Sequence, residues 1–394
     1  MRIRINKQYI ERTLLFGLTA LYVFLKVYRN SINYSNTSQG GIWNIILVFL
    51  VFCGSIYFFR RSNVGSNEVI RIGTVYALII WINGLLTFTA SGVNGIYYYI
   101  VAPSFIPILV FSYKTSGANT ERENRLFDIS WIAIFSLLFY TFIEYFGRYQ
   151  YFESSGKIAL NNSYYAVCAI PYFLKKRNRF GIGMVILAIL IVFISNKRAG
   201  LIGVALSFLF YYLINAKLSG SFSKAVSRFA AGIVAFTIFY FAFQYIDNQY
   251  NLNIFTRLLA LLSDGGSGRT EIYKKVWEEI FNSGFFSILF GHGVDSISNL
   301  GLTSAHNDFL NVFYEYGFFA ALTLAFLYLS MFRCLKMMIN DRYRNSDVFG
   351  CSIVLSLFLS LFSANLDDQS FALVLALYWG TEIAEWRNVQ ITNN

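Results

Sequence analysis

Residues 180–216 read FGIGMVILAILIVFISNKRAGLIGVALSFLFYYLINA. Two apolar runs, 180–195 and 199–216, flank the polar turn Ser195-Asn-Lys-Arg-Ala-Gly200. A helix that crosses a hydrocarbon core of about 30 Å needs ~20 predominantly apolar residues. Each run approaches that length, and a helix satisfies its own backbone hydrogen bonds where lipid cannot. The stretch reads as two membrane spans joined by a hairpin that pins Lys197 and Arg198 at the membrane surface.

The same pattern repeats along the chain. Spans are expected near 13–29, 42–59, 69–90, 95–113, 128–147, 158–174, 180–195, 199–216, 228–246, 306–332, 348–364 and 370–386. Of the 394 residues, 56% are hydrophobic and only 13% are charged. A soluble domain carries about 25% charged residues, so this surface must largely face lipid. The expectation is an all-α, polytopic transmembrane helix bundle of about twelve spans, a single integral membrane domain over 1–394 with no soluble domain. The basic N-terminus runs into an apolar stretch with no small-residue cleavage site after it, and reads as an uncleaved first helix. The three prolines, Pro103, Pro107 and Pro171, fall in or beside hydrophobic segments. Cys53, Cys168, Cys334 and Cys351 lie in or at the edge of apolar segments and form no C-x-x-C pair, so they read as small buried hydrophobes. The only histidines are His292 and His306, and with no cysteine pair beside them no metal cluster is visible.

A net charge of +11 would suit a nucleic-acid partner, but its distribution argues against one. Of the 32 Lys and Arg residues, 22 fall in loops on one side of the expected bundle and 10 on the other. The positive-inside rule makes the richer side cytoplasmic. Both termini then lie in the cytoplasm, which requires an even number of spans. The basic excess is a topology signal and a contact for anionic membrane lipids. The cations left outside need a reason to be there, and Lys197, Arg198 and Arg269 are among them.

Most loops are short, but residues 247–305 form a large external loop, and long loops in compact proteins are usually functional. Within it, Arg269-Thr-Glu-Ile-Tyr-Lys-Lys-Val-Trp-Glu-Glu-Ile-Phe281 places Ile272, Val276, Trp277 and Ile280 on one helical face. That is an amphipathic helix able to lie on a membrane. The Gly-rich run Asp264-Gly-Gly-Ser-Gly268 precedes it and Gly291-His292-Gly293 follows a second apolar stretch. The tenth span opens with Ser304-Ala-His-Asn-Asp-Phe-Leu-Asn-Val-Phe-Tyr-Glu-Tyr-Gly317. Read as continuous helix, it sets His306, Leu310, Phe313 and Gly317 on nearly one stripe. His306 then sits at the lipid–water boundary, and Gly317 allows close helix approach. Asn307 and Asp308 read as capping groups at the helix start. His292 reads as a loop residue. Glu144, Glu315, Asp367 and Asp368 read as solvated groups near outer membrane ends.

These motifs resemble the O-antigen polymerase and ligase family of membrane glycosyltransferases. The family has a His-Asn pair, nine residues, then Gly, two residues, and Gly, Thr or Tyr. Here those are His306-Asn307, Gly317 and Ala320, the last a departure from the pattern. The family's Ser-x-Ser-Arg element resembles Ser195-Asn196-Lys197-Arg198, with Lys in place of the second Ser. Its Ser-Gly-Arg, aromatic-bearing helix and Gly-x-Gly resemble Ser267-Gly268-Arg269, Trp277 and Gly291-His292-Gly293. The resemblance runs from about residue 190 to 335.

The resemblance implies a bacterial inner-membrane enzyme acting on undecaprenyl-diphosphate-linked oligosaccharide repeat units. It also implies a chain-length regulator protein as a candidate partner. The residue types suit that chemistry. Breaking a sugar–diphosphate bond leaves a polyanion, and arginine forks bind phosphate oxygens bidentately. Arg198 and Arg269, with Lys197, are the candidate diphosphate ligands. His306, with an unperturbed pKa of ~6.5, is the candidate base for the acceptor hydroxyl. Asn307, Asp308 and Gly317 are candidate supporting residues. Arginines take the place of a metal, and no cofactor is implied. A polymerase is favoured over a ligase, which would transfer the glycan to lipid A core or protein. A glycolipid flippase is the alternative of another class. Flippases line a path with intramembrane charge and broken helices, whereas here the polarity gathers on one face.

Overall fold

A computed structural model describes residues 7–32, 42–59, 67–87, 96–116, 121–147, 161–195, 197–220, 268–302, 304–363, 366 and 369–393, with scattered positions between 223 and 245. All regular structure among the described residues is helical. The first half carries α1 (Lys7–Ile32), α2 (Ile42–Phe59), α3 (Glu68–Leu86), α4 (Ile96–Val101), α5 (Phe105–Thr115), α6 (Glu121–Gly147), α7 (Ser163–Lys176) and α8 (Arg179–Ile194). The second carries α9 (Arg198–Ser219), α10 (Arg269–Asn282), α11 (Phe285–Phe290), a 3-10 turn (Ser296–Leu300), α12 (Asp308–Asn340), α13 (Ser346–Phe362) and α14 (Gln369–Asn393).

Three of these, α3, α9 and α12, are long and apolar enough to cross a membrane. Four more described stretches, Asn44–Tyr57, Phe105–Thr115, Arg179–Ile194 and Ser346–Phe362, are apolar but shorter. Most expected spans coincide with a helix to within a few residues. The ninth, 228–246, lies mostly outside the described residues, as does 247–267 of the loop.

Two expected spans are not continuous helices. The one near 95–113 is split into α4 and α5 by a turn at 102–104. Pro103 has no N–H to donate and disfavours helical backbone at Ala102, so the helix restarts after it. Pro107 falls in the first turn of α5, where an N–H would lack an intrahelical partner anyway. The span near 306–332 is α12, which breaks at Gly317 (φ 80°, ψ −178°). Residues 318–340 beyond the break extend about 35 Å, enough to cross alone.

α5 lies at the centre, almost wholly buried, between α2 and α14. Close approach depends on small residues. A Cβ on Gly54 would collide with the Pro107 carbonyl, and one on Gly380 with the Leu109 carbonyl. Ser112 Oγ then donates to Leu377 O at 2.7 Å and bonds Thr381 at 2.9 Å. α9 packs on α13, and α12 on α3.

The bundle has two polar poles. At one, Lys175 pairs with Glu382 (2.5 Å) and Glu385 (2.7 Å), Lys176 with Asp128 (2.8 Å), and Arg177 with Asp347 (2.7 Å). Arg333, near the end of α12, pairs with Glu68 at the start of α3 (2.7 Å). The opposite ends of α3, α7, α9 and α12 define the pole that carries Lys197, Arg198 and His306.

Candidate active site

Three segments build the His306 pole. The first is the α8–α9 hairpin. α8 stops at Ser195, whose Oγ donates back to Val192 O at 2.7 Å. Gly200 faces Val192 and the ring of Tyr164, and a Cβ there would press on Val192 at 2.8 Å. The tight turn leaves Lys197 as the N-cap of α9 and Arg198 as its first residue. Lys197 Nζ donates to Asn161 Oδ1 at 2.5 Å. A helix N-terminus carries partial positive charge, so cations there are disfavoured. Lys197 and Arg198 add their own charge to that end of the helix.

The second segment repeats that arrangement. α10 begins with Arg269 after Gly268, whose φ of 78° is easily adopted without a side chain. The Arg269 guanidinium donates to Phe362 O, a carbonyl left open at the end of α13. A guanidinium has five N–H donors, so this bond does not exhaust it. One turn later, Tyr273 Oη donates to His306 O at 3.2 Å and lies 3.4 Å from Leu361 O. Tyr273 thus ties the Arg269 helix to both His306 and the end of α13.

The third segment corrects the expectation of one stripe from His306 to Gly317. His306 precedes the helix, with φ 52°, and Asn307 is the N-cap, accepting from Leu310 N at 3.0 Å. His306 N donates to Ser304 Oγ at 3.1 Å, and Ala305 N to buried Asn311 Oδ1 at 3.2 Å. Asp308 is buried and accepts from Leu366 N at 2.8 Å, fastening the helix start to the segment after α13. The imidazole is half-buried. Burial first, then the charges of Arg269 and Lys197, hold its pKa below the usual range. An imidazole so placed is neutral near pH 7 and ready to accept a proton. From the hairpin, the charge of Lys197 contributes to that shift.

Gly317 supports this end of α12 differently from the expected helix–helix contact. Its break frees three carbonyls, and two separate parts of the chain satisfy them. Tyr314 O accepts from His292 N (3.0 Å) and bonds its Nδ1 (3.0 Å). Glu315 O accepts from Gly293 N (2.9 Å), and Tyr316 O from Asn83 Nδ2 (2.5 Å). The His292 ring stacks on Tyr314 at 4.3 Å, and its Nε2 bonds Ser283 Oγ at 2.9 Å. A Cβ on Gly291 would strike the Glu315 carbonyl, and one on Gly317 the Leu289 carbonyl. Gly291-His292-Gly293 and Gly317 therefore form one clasp, and His292 is its pin. Glu315, expected to be solvated, is buried beside it. The side chains of Glu144, Asp367 and Asp368 lie outside the described residues.

α10 also departs from expectation. Val276 and Ile280 are buried against Ile297, Ala305, Leu310 and Tyr314, so this face packs on protein. Trp277 turns outward, stacked on Phe281 and edge-on to Phe313.

A family model for O-antigen ligase matches residues 183–325. The O-antigen polymerase and ligase resemblance is borne out. No curated protein matches the chain. The O-antigen ligase match contains Lys197, Arg198, Arg269, His306 and Gly317. Asn161 and Phe362, which bond Lys197 and Arg269, and Leu366, which bonds Asp308, come from outside it. Sequence reasoning missed Tyr273, Asn161 and Asn311. Only Tyr273 carried a signal, because it sits four residues after Arg269 on the same helical face.

Proposed function

We propose that this chain is a polysaccharide polymerase of about twelve spans with both termini in the cytoplasm. It transfers a polyprenyl-diphosphate-linked glycan onto a second lipid-linked repeat unit at the outer face of the bacterial inner membrane. The observation that carries this reading is a neutral-favouring imidazole beside two helix N-termini, one opening with Lys197-Arg198 and the other with Arg269. Such a place suits a polyanion next to a proton acceptor.

In the proposed reaction, His306 takes the proton of the acceptor hydroxyl. The oxygen attacks the anomeric carbon, and the bond from that carbon to the diphosphate oxygen breaks. The electron pair leaves on the polyprenyl diphosphate, where Arg269, Lys197 and Arg198 stabilise the growing charge. The proton stays on His306, whose new positive charge faces the anionic product. Asn307, Asp308 and the Gly317 clasp hold the imidazole's backbone in position.

A ligase is the second reading, favoured by the description of the family model that matches. The two share chemistry and differ in acceptor, so products separate them. Deletion of the chain, or His306→Ala, is expected to collapse surface glycan to a single-unit band. Long polymer accumulating on the polyprenyl carrier would instead establish the ligase. Repeat units trapped on the cytoplasmic leaflet would point to a flippase.

A further inference from the structure

α10 and α11 meet at a turn, residues 281–286, that holds large aromatic side chains outward. Phe281 and Phe285 are each 77% exposed, Phe286 55% and Trp277 42%. Trp277 and Phe281 join a continuous strip. Trp277 stacks on Phe281 at 5.7 Å and meets Phe313 at 5.9 Å. Phe313 meets Phe318 at 6.3 Å, and Phe318 meets Phe319 at 5.8 Å. The spanning part of α12 continues this surface with Leu322, Phe326 and Leu329, all exposed at helical spacing. Where that helix crosses the membrane, this face meets hydrocarbon.

The backbone sets the depth of the turn. The Leu289 carbonyl lies against Gly317, where the spanning part of α12 begins. α11 is only about 9 Å long, so Phe285 and Phe286 stay close to that level. The outward stripe of α10 changes character along its length. Its exposed pair Lys274–Glu278 precedes Phe281, and the turn beyond it carries Phe285 and Phe286. A helix whose exposed charges give way to exposed rings at the turn after it suits the boundary between water and lipid, with Trp at headgroup depth.

We propose that residues 281–286 are immersed in the lipid leaflet next to the His306 pole, so that membrane lipid is the partner of this face. Immersion holds α10, and Arg269 at its start, at the depth of lipid-borne phosphate. The insertion does not depend on the reaction proposed above, and either can fail without the other.

The test uses the full chain in nanodiscs of phosphatidylethanolamine and phosphatidylglycerol. Phe285→Cys and Lys274→Cys are compared for reaction with a charged, impermeant maleimide, with the unsubstituted chain as background. Phe285→Cys is expected to react on the order of tenfold more slowly. A bimane on Phe285→Cys is expected to be quenched by lipids with brominated chains, and one on Lys274→Cys to be unaffected. Phe281→Cys serves as a second position if Phe285→Cys does not fold. Equal labelling rates overturn the proposal. Protection without quenching also overturns it, because protein, from this chain or a second copy, would then cover the rings.

Discussion

The two poles of the bundle treat their cations in opposite ways. At one, Lys175, Lys176, Arg177 and Arg333 each meet a carboxylate within 2.8 Å. At the other, Lys197 donates to the Asn161 side-chain carbonyl and Arg269 to the Phe362 backbone carbonyl, both neutral oxygens. Carboxylate pairing cancels local charge and fastens helices together. A bond to a neutral oxygen orients a cation without itself cancelling charge. The first pole is built as a joint, and the second sets Arg269 and Lys197 where their charges hold the His306 pKa down.

That contrast can be broken most severely at one residue from each pole. His306→Ala is expected to lower glycan transfer in proteoliposomes by roughly 10²–10⁴-fold with thermal stability unchanged. Asp347→Ala leaves Arg177 facing a buried gap and is expected to cost about 3–5 kcal/mol of stability. The transfer rate per folded molecule should stay near that of the parent. If Asp347→Ala slows transfer in the folded fraction, or His306→Ala unfolds the chain, the division of labour is wrong.

A smaller effect sharpens the account of Arg269. Its bond to Phe362 O alone would make it a cap for α13. A cap should lose stability on substitution and keep its rate. If it also stabilises leaving diphosphate, Arg269→Ala should lower transfer by about 10²–10³-fold. Arg269→Lys should recover only part of that, because an ammonium cannot form the bidentate contact. Full activity in the lysine variant would leave charge alone as the requirement.

The smallest effect is in pH dependence. His306 must be neutral to accept a proton, so transfer should rise with pH through its pKa, which burial and the two cations hold below the usual imidazole range. Removing a positive neighbour makes protonation easier and raises that pKa. In Arg269→Gln, the acid limb of residual kcat/KM should therefore move to higher pH. Bound diphosphate acts in the same direction, so the acid limb of kcat in the parent should lie above that of kcat/KM. An acid limb that does not move in Arg269→Gln would separate the guanidinium from the imidazole.

The hairpin at residues 195–200, the helix opening at Arg269 and the cap at Asn307 were all legible in the sequence, because each depends on residues within one or two turns. The broken fourth span was signalled by Pro103 but read as continuous, since apolarity alone does not mark a turn. His306 reads from the sequence as part of a helix that it in fact precedes. Nothing local distinguishes a histidine that opens a helix from one held before it by Ser304 and the N-cap Asn307.

By itself, then, the sequence determined the helical membrane class, the positions of most described helices and the segments rich in cations. Hydropathy, turn polarity and capping are properties of neighbouring residues, and lipid admits few alternatives to a helix. Only the tertiary structure decided that Lys197 acts on His306, that Tyr273 bridges α10 to His306, and that Gly291-His292-Gly293 fills the break at Gly317. Those contacts join residues far apart in the chain. Their existence depends on how helices cross and rotate, which is set by where backbones approach at Gly291 and Gly317 and which freed carbonyls find a donor.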